Sequence, residues 1–106
     1  MAIAIQVLIV RWVDDEPQPG IVECSLIDRF GKDWLFLEKC AVVSSALLCS
    51  DSTYPQPGLI ACQIISTGLD DHGREFVVLD TEQPWGINAV GGNSRFEVFV
   101  DQLDRG

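Results

Sequence analysis

The chain has 106 residues, 47% of them hydrophobic, and its 16 acidic and 7 basic side chains give a formal charge of −9. That length fits one domain around one core, and the apolar content argues against disorder. The charge speaks against nucleic acid and anionic membranes as partners, because no Lys/Arg cluster offsets the repulsion, and it favours a basic protein surface.

The opening run, "MAIAIQVLIVRW", is too short to span a membrane and lacks both the basic start and the small-residue cleavage site of a signal peptide. It reads as a first strand over residues 2–13, in a cytoplasmic protein whose four cysteines (Cys24, Cys40, Cys49, Cys62) are reduced. Both faces of that strand are apolar. Ile3, Ile5, Val7 and Ile9 lie on one, and Ala2, Ala4, Leu8 and Val10 on the other, with Gln6 the exception. A small β domain has one inside, so the outer face needs cover from the 44–50 segment or from a second copy. The expectation is a twofold homodimer, centred on an apolar strand face with acidic loops at its rim.

Next comes "PQPG" at residues 17–20, which recurs at 55–58. Proline presets φ for a turn and glycine supplies the positive φ that a type II turn requires. Each copy is followed by a similar sequence: "IVECSLI" then "GKDWLFLEK", and "LIACQII" then "GREFVVLDT". The pattern predicts a duplicated β-hairpin over 17–39 and 55–81, with reversals at Gly31 and Gly73. Cys24 and Cys62 hold matched positions among apolar neighbours and behave as small core residues. Between the copies, "SSALLCSDS" (44–52) has enough helical character for one turn capped by Ser44 or Ser45. Beyond the second copy, "WGINAV" is expected to pair with "RFEVFV" (95–100) through the "GGNS" loop. The sum is an all-β domain spanning 1–106, a small barrel or two-layer sandwich of six to seven antiparallel strands with at most one short helical turn.

Few residues suggest chemistry. The repeat puts Glu38 and Asp80 at equivalent positions. Facing each other across a pseudo-twofold axis, they would form a carboxylate pair fit for acid–base work or cation binding. Trp12 and Trp85 stand beside acidic residues where strands meet loops, which suits anchoring a partner or lining a pocket mouth, with Asp14, Asp15 and Glu82 around them. The acidic pairs lack the spacing of a calcium loop, and the cysteines lack a C-x-x-C pair, so neither metal nor cofactor is expected. His72 sits in the turn "DDHGR" without a nucleophile beside it in sequence.

The phrases "LFLEKCAVVS", "STYPQPGLIACQI" and "DTEQPWGINAVGG" resemble those of small bacterial hypothetical proteins. The resemblance implies a bacterial cytoplasmic protein and no particular activity. Three functions follow in order: a non-catalytic protein-binding domain of inhibitor or immunity type, a small-molecule-binding β-barrel, and an enzyme using Glu38 and Asp80.

Overall fold

The computed structural model describes residues 3–18 and 20–104. Eight strands follow in order: β1 (Ala4–Asp14), β2 (Ile21–Ile27), β3 (Asp33–Lys39), β4 (Gln56–Ala61), β5 (Gln63–Leu69), β6 (Glu75–Asp80), β7 (Arg95–Phe99) and β8 (Leu103–Asp104). A single helical turn, α1 (Cys40–Val43), follows β3, and a 3₁₀ turn, Val100–Gln102, precedes β8. Every pairing is antiparallel. The larger sheet runs β3-β2-β1-β4 with β8 also on β1, and the smaller runs β5-β6-β7. The all-β architecture is therefore an open two-sheet sandwich rather than a closed barrel. It has one strand more than the sequence suggested, and that strand is two residues long.

The core lies between the sheets. From the larger sheet come Ile5, Val7, Ile9, Val22, Cys24, Leu26, Phe36 and Ile60; Val77, Leu79, Phe96 and Val98 meet them from the smaller. Alternation decides which face each strand buries. Along β1 the buried set is Ile5, Val7 and Ile9, so the outward face is the one carrying Gln6 and Leu8; Ala2 lies outside the described residues. Phe96 ties the layers together, its ring 5.6 Å from Phe36 and 5.2 Å edge-on from Trp34.

The two hairpin reversals have the same construction. In the first, Asp28 N–H donates to Lys32 O, Gly31 N–H to Asp28 O, and the Asp28 carboxylate accepts from the amides of Phe30 and Lys32. In the second, Asp70, Gly73, His72 and Arg74 make the corresponding four bonds. Gly31 and Gly73 both take positive φ, 81° and 77°. A D-x-x-G-[K/R] sequence thus specifies the turn twice. His72 contributes its backbone amide to this turn.

Upstream of these turns the copies diverge. The first PQPG lies in the β1–β2 connection, with Pro19 outside the described residues, and Gly20 adopts a φ of 134°. The second forms no turn. Gln56, Pro57 and Gly58 are already in β4, opposite Ile9, Leu8 and Val7. Gly58 has no positive φ; a Cβ there would lie 3.0 Å from the Ile9 side chain and 3.1 Å from Val43 O, so its role is close packing. Pro57 is tolerated because β4 is an edge strand. In the second copy the chain leaves the larger sheet at Cys62 and continues directly as β5 of the smaller one.

Two local expectations are corrected. The helical turn occupies 40–43 and not 44–52: Cys40 and Val43, three apart, turn inward and are buried, whereas Ser44 spends its hydroxyl on Ala46 N–H in a non-helical bend. The "WGINAV" segment forms no strand with 95–100. Thr81, fully buried, donates its hydroxyl to Ile87 O at 2.6 Å, Gly86 and Gly91 adopt positive φ, and Val90 N–H goes to Leu35 O on the edge of β3. Ile87 and Ala89 are buried from within this loop, so hydrophobic anchoring replaces a ladder.

Candidate functional site

The structure separates the two carboxylates proposed from the repeat. Glu38 follows Phe36 on the inward face of β3 opposite Val22; burial raises its pKa, with Lys39 pulling it back. Asp80 accepts Glu82 N–H at 2.9 Å and lies 3.5 Å from the Arg95 guanidinium; that amide, foremost, and the arginine hold its pKa down. Asp80 lies on the opposite face of β6 from buried Val77 and Leu79, whereas Glu38 shares the face of buried Phe36, so the two do not face each other across the core.

Trp12 is half-buried near the end of β1, opposite Val22 of β2. Its indole N–H donates to Asp15 Oδ1 at 2.8 Å, and its ring lies against Gly20, where an added Cβ would fall 2.1 Å from Trp12 Cζ2. Asp14 caps the same bend by accepting Glu16 N–H. Trp12 and Asp14, at the end of β1, and Asp15 just beyond it therefore hold the connection to β2 in shape. Trp85 is 62% exposed in the turn that Gly86 N–H closes onto exposed Glu82. None of these five residues lines the groove on the outer face of the larger sheet.

Three thiols belong to the core or its margin: Cys24, Cys40 and Cys62 are buried, Cys49 is exposed, and all four are free. Burial pushes Cys24 up to about 12, with Glu38, Cys40 and Glu23 adding to it, and Cys62 up to about 11. Only thiolate reacts quickly with alkylating or disulfide reagents. Titration of native protein at pH 8 is expected to show one fast thiol, Cys49, with the other three appearing only on unfolding. A second fast thiol would mean that the core opens readily.

The cavity of interest is a groove of about 660 Å³ on the outer face of the larger sheet. Its floor is the outward row of three neighbouring strands: Gln6 and Leu8 of β1, Ser25 and Ile27 of β2, Pro57 and Leu59 of β4. Leu8, Ile27 and Leu59 remain 51%, 47% and 39% exposed; Leu8 stands between Ser25 and Pro57 in register, and Leu59 is opposite Gln6, so the aliphatics alternate with polar and small groups along the floor. Ser44–Ala46 borders the groove beside β4, and Asp101, Gln102 and Asp104 border it beside β2, where Gln102 Nε2 donates to Ile27 O. The 44–50 segment thus forms a wall and leaves the floor open. Among the described residues no Lys or Arg lines the groove. Asp101 meets Arg74 at 2.9 Å, but both side chains are largely exposed, where screening makes such a pair weak.

Chemically, the groove offers an apolar floor, amide and hydroxyl groups at hydrogen-bonding height, and carboxylates on one bank. The sequence told that one apolar face of β1 needs cover but not which; the structure makes it the face of Gln6 and Leu8. The bank residues Asp101, Gln102 and Asp104 were not legible, because only the β8–β1 pairing brings them to that face. No protein-family model, curated protein or solved structure matches the chain. Among the described residues no helix is long and apolar enough to cross a membrane, and no group of three or more His, Cys, Asp or Glu stands where it would hold a metal ion.

Proposed function

We propose that this protein is a non-catalytic binding domain whose groove receives a segment of a partner protein carrying an apolar side chain flanked by Lys or Arg. The observation that carries the reading is the exposed Leu8, Ile27 and Leu59 of the groove floor, with Asp101 and Asp104 on one bank and Asp101 in a largely exposed pair with Arg74. Burying those aliphatics supplies affinity at about 25 cal/mol per Å² of apolar surface. The carboxylates and the chain's charge of −9 supply attraction and speed of encounter for a basic partner. The serine and glutamine side chains along the rim match the backbone groups of a peptide. A bacterial cytoplasm is the setting this reading assumes.

A small amphiphilic cation is the second reading, favoured by the groove volume, which falls within the range of small-ligand sites. Fluorescence anisotropy with short labelled peptides tests the first. Apolar–basic peptides should bind at least tenfold tighter than apolar–acidic ones and weaken as salt rises. Leu8→Glu, at a half-exposed position, should abolish binding while leaving the circular dichroism unchanged. Equal affinity for acidic peptides, or full binding by the Leu8→Glu protein, would overturn the reading. Binding of alkylammonium compounds in place of all peptides would transfer the groove to the second.

A further inference from the structure

The register of the larger sheet carries its outward apolar surface past the groove. Leu8 stands opposite Pro57 on one side and Ser25 on the other, and Ser25 stands opposite Leu35 of β3. Residues directly opposite each other share a face, so Pro57, Leu8, Ser25 and Leu35 form one row across four strands. Beyond Leu35 the row reaches Val90, whose N–H donates to Leu35 O. Leu35, Leu37 and Val90 are 39%, 47% and 60% exposed, a second apolar patch set apart from Leu8 by the width of β2.

A carboxylate stands between the two patches. Ser25 Oγ donates to Asp33 Oδ1 at 2.5 Å, which holds that carboxylate beside the row although Asp33 itself lies opposite Ile27. Asp33 is exposed, and no cation pairs with it among the described residues. Glu23, opposite Leu37, already has the Arg11 guanidinium at 3.0 Å. The row thus reads apolar, acidic, apolar from Leu8 through Asp33 to Leu35.

We propose that this row is a two-anchor site for a polyproline-type segment of a partner protein, with apolar side chains three residues apart and a Lys or Arg between them. The proposal rests on the groove reading above and extends it to β3. Charge fixes the middle of the segment, since a cation between the anchors meets the unpaired Asp33. Spacing fixes its conformation. Neighbouring strands lie about 4.8 Å apart, so Leu8 and Leu35 stand about 10 Å apart. An extended chain offers same-face side chains about 7 or 13 Å apart and misses that interval. A polyproline II segment offers them at i and i+3, about 9 Å apart, with every backbone carbonyl free. An α-helix spans about 10 Å at i and i+7, but its carbonyls are already bonded within the helix. Gln6 and Gln102 each spend one amide proton on a backbone carbonyl and keep a second for a ligand whose carbonyls are free.

Fluorescence anisotropy with labelled proline-rich peptides tests the site, because such peptides hold the polyproline conformation in free solution. The first peptide carries two leucines three residues apart with a lysine between them. The second has alanine in place of one leucine, and the third has glutamate in place of the lysine. The parent protein should bind the first about tenfold tighter than either of the others, one aliphatic contact or one charge contact being lost in each. Leu35→Thr should bring the first peptide down to the affinity of the second and leave the second unchanged. Asp33→Asn should remove most of the preference for lysine. Both positions are exposed, and unchanged circular dichroism shows that the fold is kept. Equal binding of the first two peptides by the parent, a leucine effect that survives Leu35→Thr, or a lysine preference untouched by Asp33→Asn would each overturn the proposal. Tighter binding of an alanine-rich helical peptide with leucines seven apart would do the same. If Leu8→Glu abolishes binding while Leu35→Thr changes nothing, the groove reading stands and the second anchor falls. If no apolar–basic peptide binds, both fall.

Discussion

Phe36→Ala is expected to destabilise the domain by about 3–5 kcal/mol, the range for truncating a fully buried aromatic. Phe36 is 0% exposed at the centre of β3, opposite Cys24, and its ring meets Phe96 of the other sheet. The loss has two parts: the transfer free energy of the ring, and the void left between layers whose backbones are held by their ladders. A small domain has a total stability of only about 5–15 kcal/mol, so the variant should sit near its unfolding threshold. Urea denaturation followed by tryptophan fluorescence measures the effect. A loss under about 1 kcal/mol would show that the layers collapse onto the void and that Phe36 is not a keystone.

Gly20→Ala is expected to cost on the order of 3 kcal/mol, from two additive sources. The backbone there has a φ of 134°, which a side chain disfavours, and the new Cβ would fall 2.1 Å from the Trp12 ring. Relief requires the indole to leave, which also breaks its bond to Asp15. Gly31→Ala isolates the first source. It too has positive φ, 81°, but nothing lies within 4 Å of its added Cβ, so it should cost about 1 kcal/mol. Equal losses for the two variants in the same denaturation experiment would remove the Trp12 contact from the account.

How much of this was legible depended on how local the determining physics is. The reversals at Gly31 and Gly73 were readable because a D-x-x-G-[K/R] turn carries its own hydrogen bonds within five residues. Alternation divided β1 into two apolar faces without telling which was buried, whereas the burial of Cys24 and Cys62 followed from their apolar surroundings. The second PQPG misled because turn chemistry is conditional: the same residues serve as an edge strand when Ile9 and Val43 press against the glycine. Pairing Glu38 with Asp80 assumed that matched sequence means facing side chains. The divergence at Cys62 puts one strand in each sheet, and on equivalent stretches it buries Phe36 of β3 but Val77 and Leu79 of β6. Trp12 looked like an anchor for a partner, yet its partner is a glycine eight residues along its own chain. The acidic bank of the groove depends on the contact of Ala4 with Asp104, which no local pattern announces.

The passage of the chain from β4 to β5 through the single residue Cys62 has a consequence for how the domain comes apart. Most sandwiches join their layers by loops, which let one sheet loosen while the other persists. Here six residues laddered to β1 and six of the seven residues of β5 laddered to β6 are separated by one residue whose own amide is bonded to Ile3 O. Slippage of the smaller sheet along its strands would pull Gln56–Ala61 out of register with β1, and a one-residue slip there would turn Ile60 from the core to water. The layers are therefore geared together. The sandwich is expected to hold or yield as a single body, its two ladders joined through Cys62.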